Sequence, residues 1–196
     1  MRVYGHVLPL CNIDKENVYM YQLDGVLPRL NYKEERKSAT TAKYSIKTAL
    51  TCVCRQMYEK NKIEMFRVPT TVIIVHGFNS ETNRVFDMDN REKSVIINSL
   101  KGYLFKDDTL NDISYFTEIA KEVSYSPKTM VFVAAAKLHL FLLSEIVPTF
   151  FDMGIEAAVD VFTSNIITPS STFLSWDNTE SAENEKHELP KTTIFL

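Results

Sequence analysis

The spacing of apolar residues along the first half of the chain predicts two strands, a helix and a third strand. Arg2-Val3-Tyr4-Gly5 is a short β run that ends at its glycine, and residues 18–32 alternate as a strand that breaks at Asp24-Gly25 and then resumes. From 40 to 60, apolar residues recur at three- and four-residue steps, which predicts an amphipathic helix. The β-branched run 68–76 predicts a strand that stops at Gly77.

The second half of the chain predicts shorter elements. A strand over 84–88 would pair with 68–76 as a hairpin, and Asp89 or Asn90 would cap a helix with Val95, Ile96, Ser99 and Leu100 on its apolar face. A weak helix over 110–122, a buried strand over 130–135, a helix over 138–153 kinked at Pro148 and a last strand over 159–162 follow. This order predicts an α+β fold, a mostly antiparallel sheet with helices packed on one face.

We place this single domain at residues 1–175 and a tail at 176–196. The tail is acidic and poor in apolar residues, so we expect it to be disordered. Its last residues, Ile194, Phe195 and Leu196, are apolar again and supply the anchors of a candidate partner-docking peptide. A frayed chain end is the simpler alternative.

Composition describes an ordinary globular chain. Of 196 residues, 45% are hydrophobic and 24% charged, and we find neither a secretory signal nor an apolar run long enough to span a membrane. We therefore expect an intracellular protein without a membrane partner. Cys11, Cys52 and Cys54 do not have zinc-site spacing, and we expect them to be reduced and half-buried.

Charge is distributed unevenly between the halves. Residues 1–106 hold seventeen Lys and Arg against eleven Asp and Glu, whereas residues 107–196 hold five against fourteen. A basic half suits a phosphate backbone, and an acidic half suits a basic partner or solvent.

The five glycines follow the order of a known family. The segment Arg2–Gly5 and the strand pair around Gly25, Pro28 and Tyr32 resemble the "RVFG" and "HGFxPYxY" strands that open the B-family DNA polymerases of the delta and zeta type. Gly77, Gly102 and Gly154 fall where that family has further turns or helix ends. The resemblance covers about residues 1–165 and is to the N-terminal domain of that family.

This resemblance implies a noncatalytic module in DNA replication, repair, recombination or translesion synthesis, located in the nucleus. It would act as a nucleic-acid-associated scaffold or docking subunit, with single-stranded or primer-template DNA and proteins of a larger complex as partners. Leu23-Asp24, Arg29 and Phe78-Asn79-Ser80 depart from the family pattern. We identify neither its exonuclease motif nor its palm motifs, so we expect no catalytic residues, no metal site and no cofactor.

The candidate nucleic-acid-binding residues are aromatic and basic. Tyr19, Tyr21 and Tyr32 would stack bases on an exposed sheet face, and basic residues would line a phosphate-binding rim. The basic set is Arg29, Lys33, Arg36, Lys37, Lys43 and Lys47. Packing of the same tyrosine rings in the core is the alternative, since alternation also describes a half-buried strand.

Two other functions remain as alternatives. The first is a pure protein-interaction subunit without DNA contact, which the acidic second half and tail favour. The second is a small enzyme, for which we find no arrangement of nucleophile, base and orienting group.

The run Val72 to Phe78 resembles a hydrolase strand and turn, but the chain has no G-x-S-x-G elbow. His76 is then expected to make a local hydrogen bond at the strand end.

Overall fold

The computed structural model describes residues 2–9, 16–28, 36–80, 91–123, 126–154, 157–158 and 161. In chain order, these residues form the elements β1 (Val3–Pro9), β2 (Asn17–Asp24), α1 (Arg36–Glu59), β3 (Thr70–Phe78), α2 (Ser94–Leu100), β4 (Ile113–Glu122) and β5 (Lys128–Ala135). A continuous helical segment, residues 136–153, follows β5, and we call it the composite helix. It consists of a 3₁₀ turn (Ala136–Leu138), α3 (His139–Phe141), a π-helical turn (Leu142–Ile146) and α4 (Val147–Met153).

The sheet has five strands in the order β1-β2-β5-β3-β4. Three neighbouring pairs, β1 with β2, β2 with β5 and β5 with β3, are antiparallel, and the pair of β3 with β4 is parallel. The parallel pair is joined through α2, as parallel neighbours need a crossover connection. The predicted α+β class with a mostly antiparallel sheet is therefore confirmed.

The helices lie on both faces of the sheet, so the prediction that they pack on one face is wrong. On one face, which we call the α1 face, Tyr21 and Val131 pack with Leu50 of α1. On the opposite face, Ile73 and Phe132 pack with residues of the composite helix. The physical reason is that β2, β3 and β5 are buried along nearly their whole lengths. Apolar side chains that alternate to both faces require a cover on each.

The weak helix predicted over 110–122 is instead strand β4. Its sequence, with Ile113, Tyr115, Phe116 and Ile119, is rich in residues that favour strands, and only Ile113 is buried. An edge strand with one buried residue has no strong alternation, so periodicity did not reveal it. Pairing with β3 over the full length of β3 determines its conformation.

A π turn, Leu142–Ile146, lies immediately before α4, whose second residue is Pro148. Proline has no N–H for the carbonyl four residues earlier, and its ring crowds that carbonyl. Widening the preceding turn to π geometry relieves this crowding. The π turn therefore has a local chemical cause in the sequence, and the kink at Pro148 stays a prediction.

Several other predictions have clear outcomes. The helix over 40–60, the strand over 130–135 and the apolar face of α2 are confirmed. Gly5 lies inside β1 rather than at its end, whereas β2 does end before Gly25, whose φ is 102°. The strand over 84–88, its hairpin and the caps at Asp89 or Asn90 lie outside the described residues, as do Cys11 and the tail 176–196. Of the last predicted strand, only Val161 is described, and it is helical.

Among the helices in the described ranges, none combines the length and the apolar character that crossing a bilayer requires.

Candidate nucleic-acid interface

Tyr19 and Tyr21 point from β2 into the core beneath α1. Both side chains are almost completely buried, and the Tyr19 ring lies 5.4 Å from the ring of Phe66. The Tyr19 hydroxyl accepts a hydrogen bond of 3.3 Å from the backbone N–H of Glu64. Burial raises the pKa of Tyr21 and, beside it, raises the pKa of the Cys54 thiol to about 12.

The sheet face with these rings is therefore covered, which corrects the expectation of an exposed stacking platform. The alternative, in which the rings pack in the core, is correct for Tyr19 and Tyr21. Helix α1 covers them because Ile46, Leu50 and Cys54, at four-residue steps, form one buried stripe that requires an apolar surface beneath it.

The remaining candidates divide into three groups. Tyr32 and the basic residues Arg29 and Lys33 lie outside the described residues. Arg36 and Lys37 lie in the first turn of α1, but the structure does not describe their side chains. Lys43 and Lys47 are described, and both belong to α1. The structure thus brings four of the six basic candidates onto one helix.

Lys43 is already engaged within the fold. Its ammonium lies 3.0 Å from a carboxylate oxygen of Glu92, at the entry to α2. Burial raises the pKa of Glu92, but hydrogen bonds from Ser94 and Lys43 outweigh burial and hold the pKa below its usual value. Lys43 therefore anchors α1 to α2, and Lys47 is the exposed one of the two basic candidates whose side chains the structure describes.

The outward side of α1 carries polar, basic and aromatic side chains. We define the outer face of α1 as Tyr44, Lys47, Thr48, Arg55 and Tyr58, which are all exposed. The exposed fractions of the two tyrosines, 66% for Tyr44 and 50% for Tyr58, are high for such large rings. At 1.5 Å rise per residue, the stretch from Tyr44 to Tyr58 spans about 21 Å of helix.

The electrostatics of α1 differ from those of the whole chain. The helix contains five Lys and Arg residues and one carboxylate, Glu59, whereas the chain as a whole has a formal charge of −3. Glu59 lies four residues after Arg55 and pairs with it at 2.8 Å. An exposed pair of this kind is weak, so Arg55 can exchange Glu59 for another anion at small cost.

Sequence reasoning identified Lys43 and Lys47 but missed Tyr44, Arg55 and Tyr58. The signal was present in the same helical period that predicted α1. Arg55 lies eleven residues after Tyr44, which is close to three turns, and Tyr58 lies one turn further. Extending the helical wheel to its polar side would have placed all three on the outer face.

A second polar cluster lies on the α1 face at the carboxyl end of β3. His76 Nε2 is 2.7 Å from Glu118 Oε1, and the other oxygen of Glu118 pairs with Lys93. Burial lowers the pKa of His76, although the hydrogen bond with Glu118 opposes the shift. His76 is fully buried, so this histidine has no access to a substrate. The expected hydrogen bond of His76 is present, but its partner Glu118 lies 42 residues away in sequence, on β4, and is not local.

Several carboxylates of the described residues have structural partners. Asp107 pairs with Lys101, and this contact lowers the pKa of Asp107 to about 2. The chain does contain one Asp-x-Glu tripeptide, Asp14-Lys15-Glu16, which sequence reasoning overlooked. Glu16 pairs with Lys137 at 3.1 Å, and Asp14 is outside the described residues. Within the described ranges, no three His, Cys, Asp or Glu side chains group as a metal site would require.

No protein-family model matches the chain, and no curated protein sequence matches it. The resemblance to the polymerase N-terminal domain therefore stays a prediction that rests on the residues quoted for it. The docking peptide Ile194, Phe195 and Leu196 lies outside the described residues.

Proposed function

We propose that this domain is a noncatalytic module that contacts the phosphate backbone of nucleic acid through the outer face of α1. In this role it acts as a scaffold or docking subunit in DNA replication, repair or recombination, as the polymerase resemblance implies. The observation that carries the proposal is the composition of α1, with five cations, one carboxylate and two exposed tyrosines on an acidic chain.

The physical case rests on charge and on stacking. Lys47 and Arg55 are eight residues apart on α1, which corresponds to about 12 Å along the helix axis. Cations at such a separation contact phosphates of one strand, and the tyrosine rings offer stacking surfaces to unpaired bases. Binding of this kind is independent of sequence, and we expect a dissociation constant of about 10⁻⁴ to 10⁻⁶ M that weakens steeply with salt.

The test is fluorescence anisotropy with a labelled single-stranded DNA of twenty nucleotides, measured in 20 to 200 mM salt. The variant Lys47→Glu/Arg55→Glu should lose at least tenfold in affinity at low salt. In a plot of the logarithm of the binding constant against the logarithm of the salt concentration, the slope for this variant should be shallower by about 0.7 for each phosphate contact that is lost. Tyr44→Ala/Tyr58→Ala should weaken binding while leaving the salt slope unchanged, because rings contribute stacking and no charge.

The matched control is Lys106→Glu/Lys121→Glu, which makes the same change in net charge at exposed lysines outside α1. It should retain most of the affinity. Equal losses in the two charge variants, or no binding by the parent at 20 mM salt, would contradict the proposal and favour the pure protein-interaction subunit. Primer extension or exonuclease activity that survives rigorous purification would contradict its noncatalytic character.

A further inference from the structure

Strand β4 forms an edge of the sheet that lacks the usual protection of edges. It pairs with β3 on one side, and none of the other described strands lies on its second side. At ten residues it extends over about 34 Å, so it presents a long row of backbone donors and acceptors. Such an edge is a template for pairing with another strand.

Natural edge strands are commonly protected by proline, by outward charges or by a covering element. Between Tyr115 and Ala120, β4 has no proline and a single charged residue, Glu118. The Glu118 carboxylate is turned inward to His76 and Lys93 and is nearly buried. This part of the edge therefore presents no charge that would repel an incoming strand.

The opposite edge, β1, contains a proline and is approached closely by a helix. It is shorter, at seven residues, and contains Pro9. Helix α1 approaches it so closely that a Cβ at Gly5 would lie 2.3 Å from the sulfur of Met57. The contrast between the two edges singles out β4 as the site for an added strand.

The side chains of β4 offer an apolar surface on both faces of the sheet. Tyr115 and Phe116 are adjacent, so their rings point to opposite faces, and they are 50% and 44% exposed. The Tyr115 ring already stacks on His139 at 4.6 Å, so a strand added beside β4 would cover Phe116 and the part of Tyr115 that stays exposed. The surface thus fits a short extended segment with consecutive apolar residues.

The chain contains a segment of this description at its end. Residues 192–196, Thr-Thr-Ile-Phe-Leu, combine β-branched and aromatic residues without a charged side chain. Phe195 would lie on one face of the sheet, and Ile194 and Leu196 on the other.

The end of the composite helix lies beside β4, which brings the C-terminal part of the chain within reach of this edge. Lys121, near the end of β4, lies 3.8 Å from Asp152 and 4.4 Å from the centre of the Phe151 ring, so the helix ends beside β4. Thirty residues, 162–191, separate Val161 from the terminal segment, and such a length can span up to about 100 Å. The reach exceeds the whole length of β4.

We propose that residues 192–196 pair with the β4 edge of the same molecule as a sixth strand. Because residues 192–196 belong to the same chain as β4, their effective concentration at the β4 edge is high. Weak contacts are then enough to keep the segment bound at this edge. This inference is independent of the proposed contact with nucleic acid, because β4 and the outer face of α1 are separate surfaces.

Hydrogen exchange of the β4 backbone amides tests the proposal. We compare the full chain with a chain that ends at Lys191. In the full chain, the outward amides between Tyr115 and Ala120 should exchange at least tenfold more slowly, and the difference should be the same from 1 to 100 μM protein. Phe195→Asp should exchange like the truncated chain, whereas Thr192→Ser, the matched conservative control, should behave like the parent.

A second measurement supplies the segment in trans. A synthetic peptide of residues 187–196, added to the truncated chain, should restore protection, and the same peptide with Phe195→Asp should not. Identical β4 exchange in the full and truncated chains would overturn the proposal. Protection that increases with protein concentration would also overturn it, since it would assign the edge to the terminal segment of a second copy.

Discussion

His76 on β3 and Glu118 on β4 form a buried hydrogen bond of 2.7 Å across the parallel strand pair. Lys93, just before α2, contacts the same carboxylate, so one side chain of β4 connects to β3 and to the start of α2. The contact therefore ties together all three parts of the β3-α2-β4 unit.

We predict that stability decreases when the pH falls below the unfolded histidine pKa of about 6.5. Burial lowers the pKa of His76, and of His6 and His139, in the folded state. Between each lowered pKa and 6.5, the unfolded chain binds more protons than the folded one, so acid favours unfolding. Urea unfolding between pH 7.5 and 5 should show a fall of at most about 1.4 kcal/mol per pH unit for each such histidine.

The variant His76→Gln isolates the contribution of His76. Glutamine keeps a donor for Glu118 but does not titrate, so the fall in stability below pH 6.5 should be shallower than in the parent. An unchanged slope in the variant, or a parent that becomes more stable towards pH 5, would contradict this assignment.

Leu142 is the residue through which we test the core under the composite helix. It is fully buried within the π turn, and Leu140, two residues earlier, is 56% exposed. Leu142→Ala should lower the free energy of unfolding by about 2 to 5 kcal/mol. Leu142→Asp should abolish the folded state, because it places an unpaired charge in the core.

The matched variants are Leu140→Ala and Leu140→Asp, which should change stability by less than about 0.5 kcal/mol. Circular dichroism melts of the four variants measure the contrast. Similar losses at the two positions would mean that the composite helix does not pack as described.

The limits of sequence reasoning are visible at Tyr19 and Tyr21. Their alternation with polar and apolar neighbours predicted a strand, and β2 is that strand. Alternation alone does not say which face meets solvent, because a second layer of helices covers one face in some folds and leaves it open in others. Met20 lies in the opposite core, so this strand is buried from both sides.

Helix α1 could be predicted because its local sequence pattern is sufficient. The apolar stripe of α1 is continuous and predicted the helix, whereas Lys43 and Lys47 were identified by their charge. Their surroundings differ because Lys43 borders α2, where it meets Glu92. That contact joins residues 49 positions apart in sequence, and no local pattern contains it. Strand β4 was missed because tertiary pairing determines its conformation.

Gly5 allows α1 to approach β1 closely, and we predict that Gly5→Ala is destabilising. An added Cβ would lie 2.3 Å from Met57 Sδ and 2.8 Å from Val53 Cγ1. The Met57 side chain is flexible, but Val53 is β-branched and stiff, so the helix must shift. We expect a loss of about 1 to 3 kcal/mol in urea unfolding.

Val53→Ala should relieve part of this loss, which a double-mutant cycle of Gly5 and Val53 measures as a coupling of about 0.5 kcal/mol or more. Gly77→Ala is the matched control, because its Cβ would have its closest contact at 3.4 Å, an ordinary distance. If the two changes in the free energy of unfolding simply add, a Cβ at residue 5 does not contact Val53 of α1, which would contradict the prediction.

The two cysteines of α1 should differ sharply in reactivity. Cys52 is exposed, whereas Cys54 is buried beside Tyr21, and burial raises the pKa of its thiol to about 12. The thiolate is the reactive form of cysteine. Cys54 is therefore protected against the reagent both because little of it is thiolate and because the reagent cannot reach the buried sulfur. In a Cys11→Ser background, the chain that keeps Cys54 alone should react with a disulfide reagent at pH 8 at least 100-fold more slowly than the chain that keeps Cys52 alone.

The control is the same pair of chains in concentrated guanidinium, where the two rates should converge as the fold is lost. Slow labelling of Cys54 without denaturant then reports the opening of α1 from the sheet, because the thiol becomes accessible only when that core separates. The variant Gly5→Ala, which strains the contact of α1 with β1, should accelerate this labelling, and Gly77→Ala should not. Equal native rates for Cys52 and Cys54 would be inconsistent with α1 covering Tyr21.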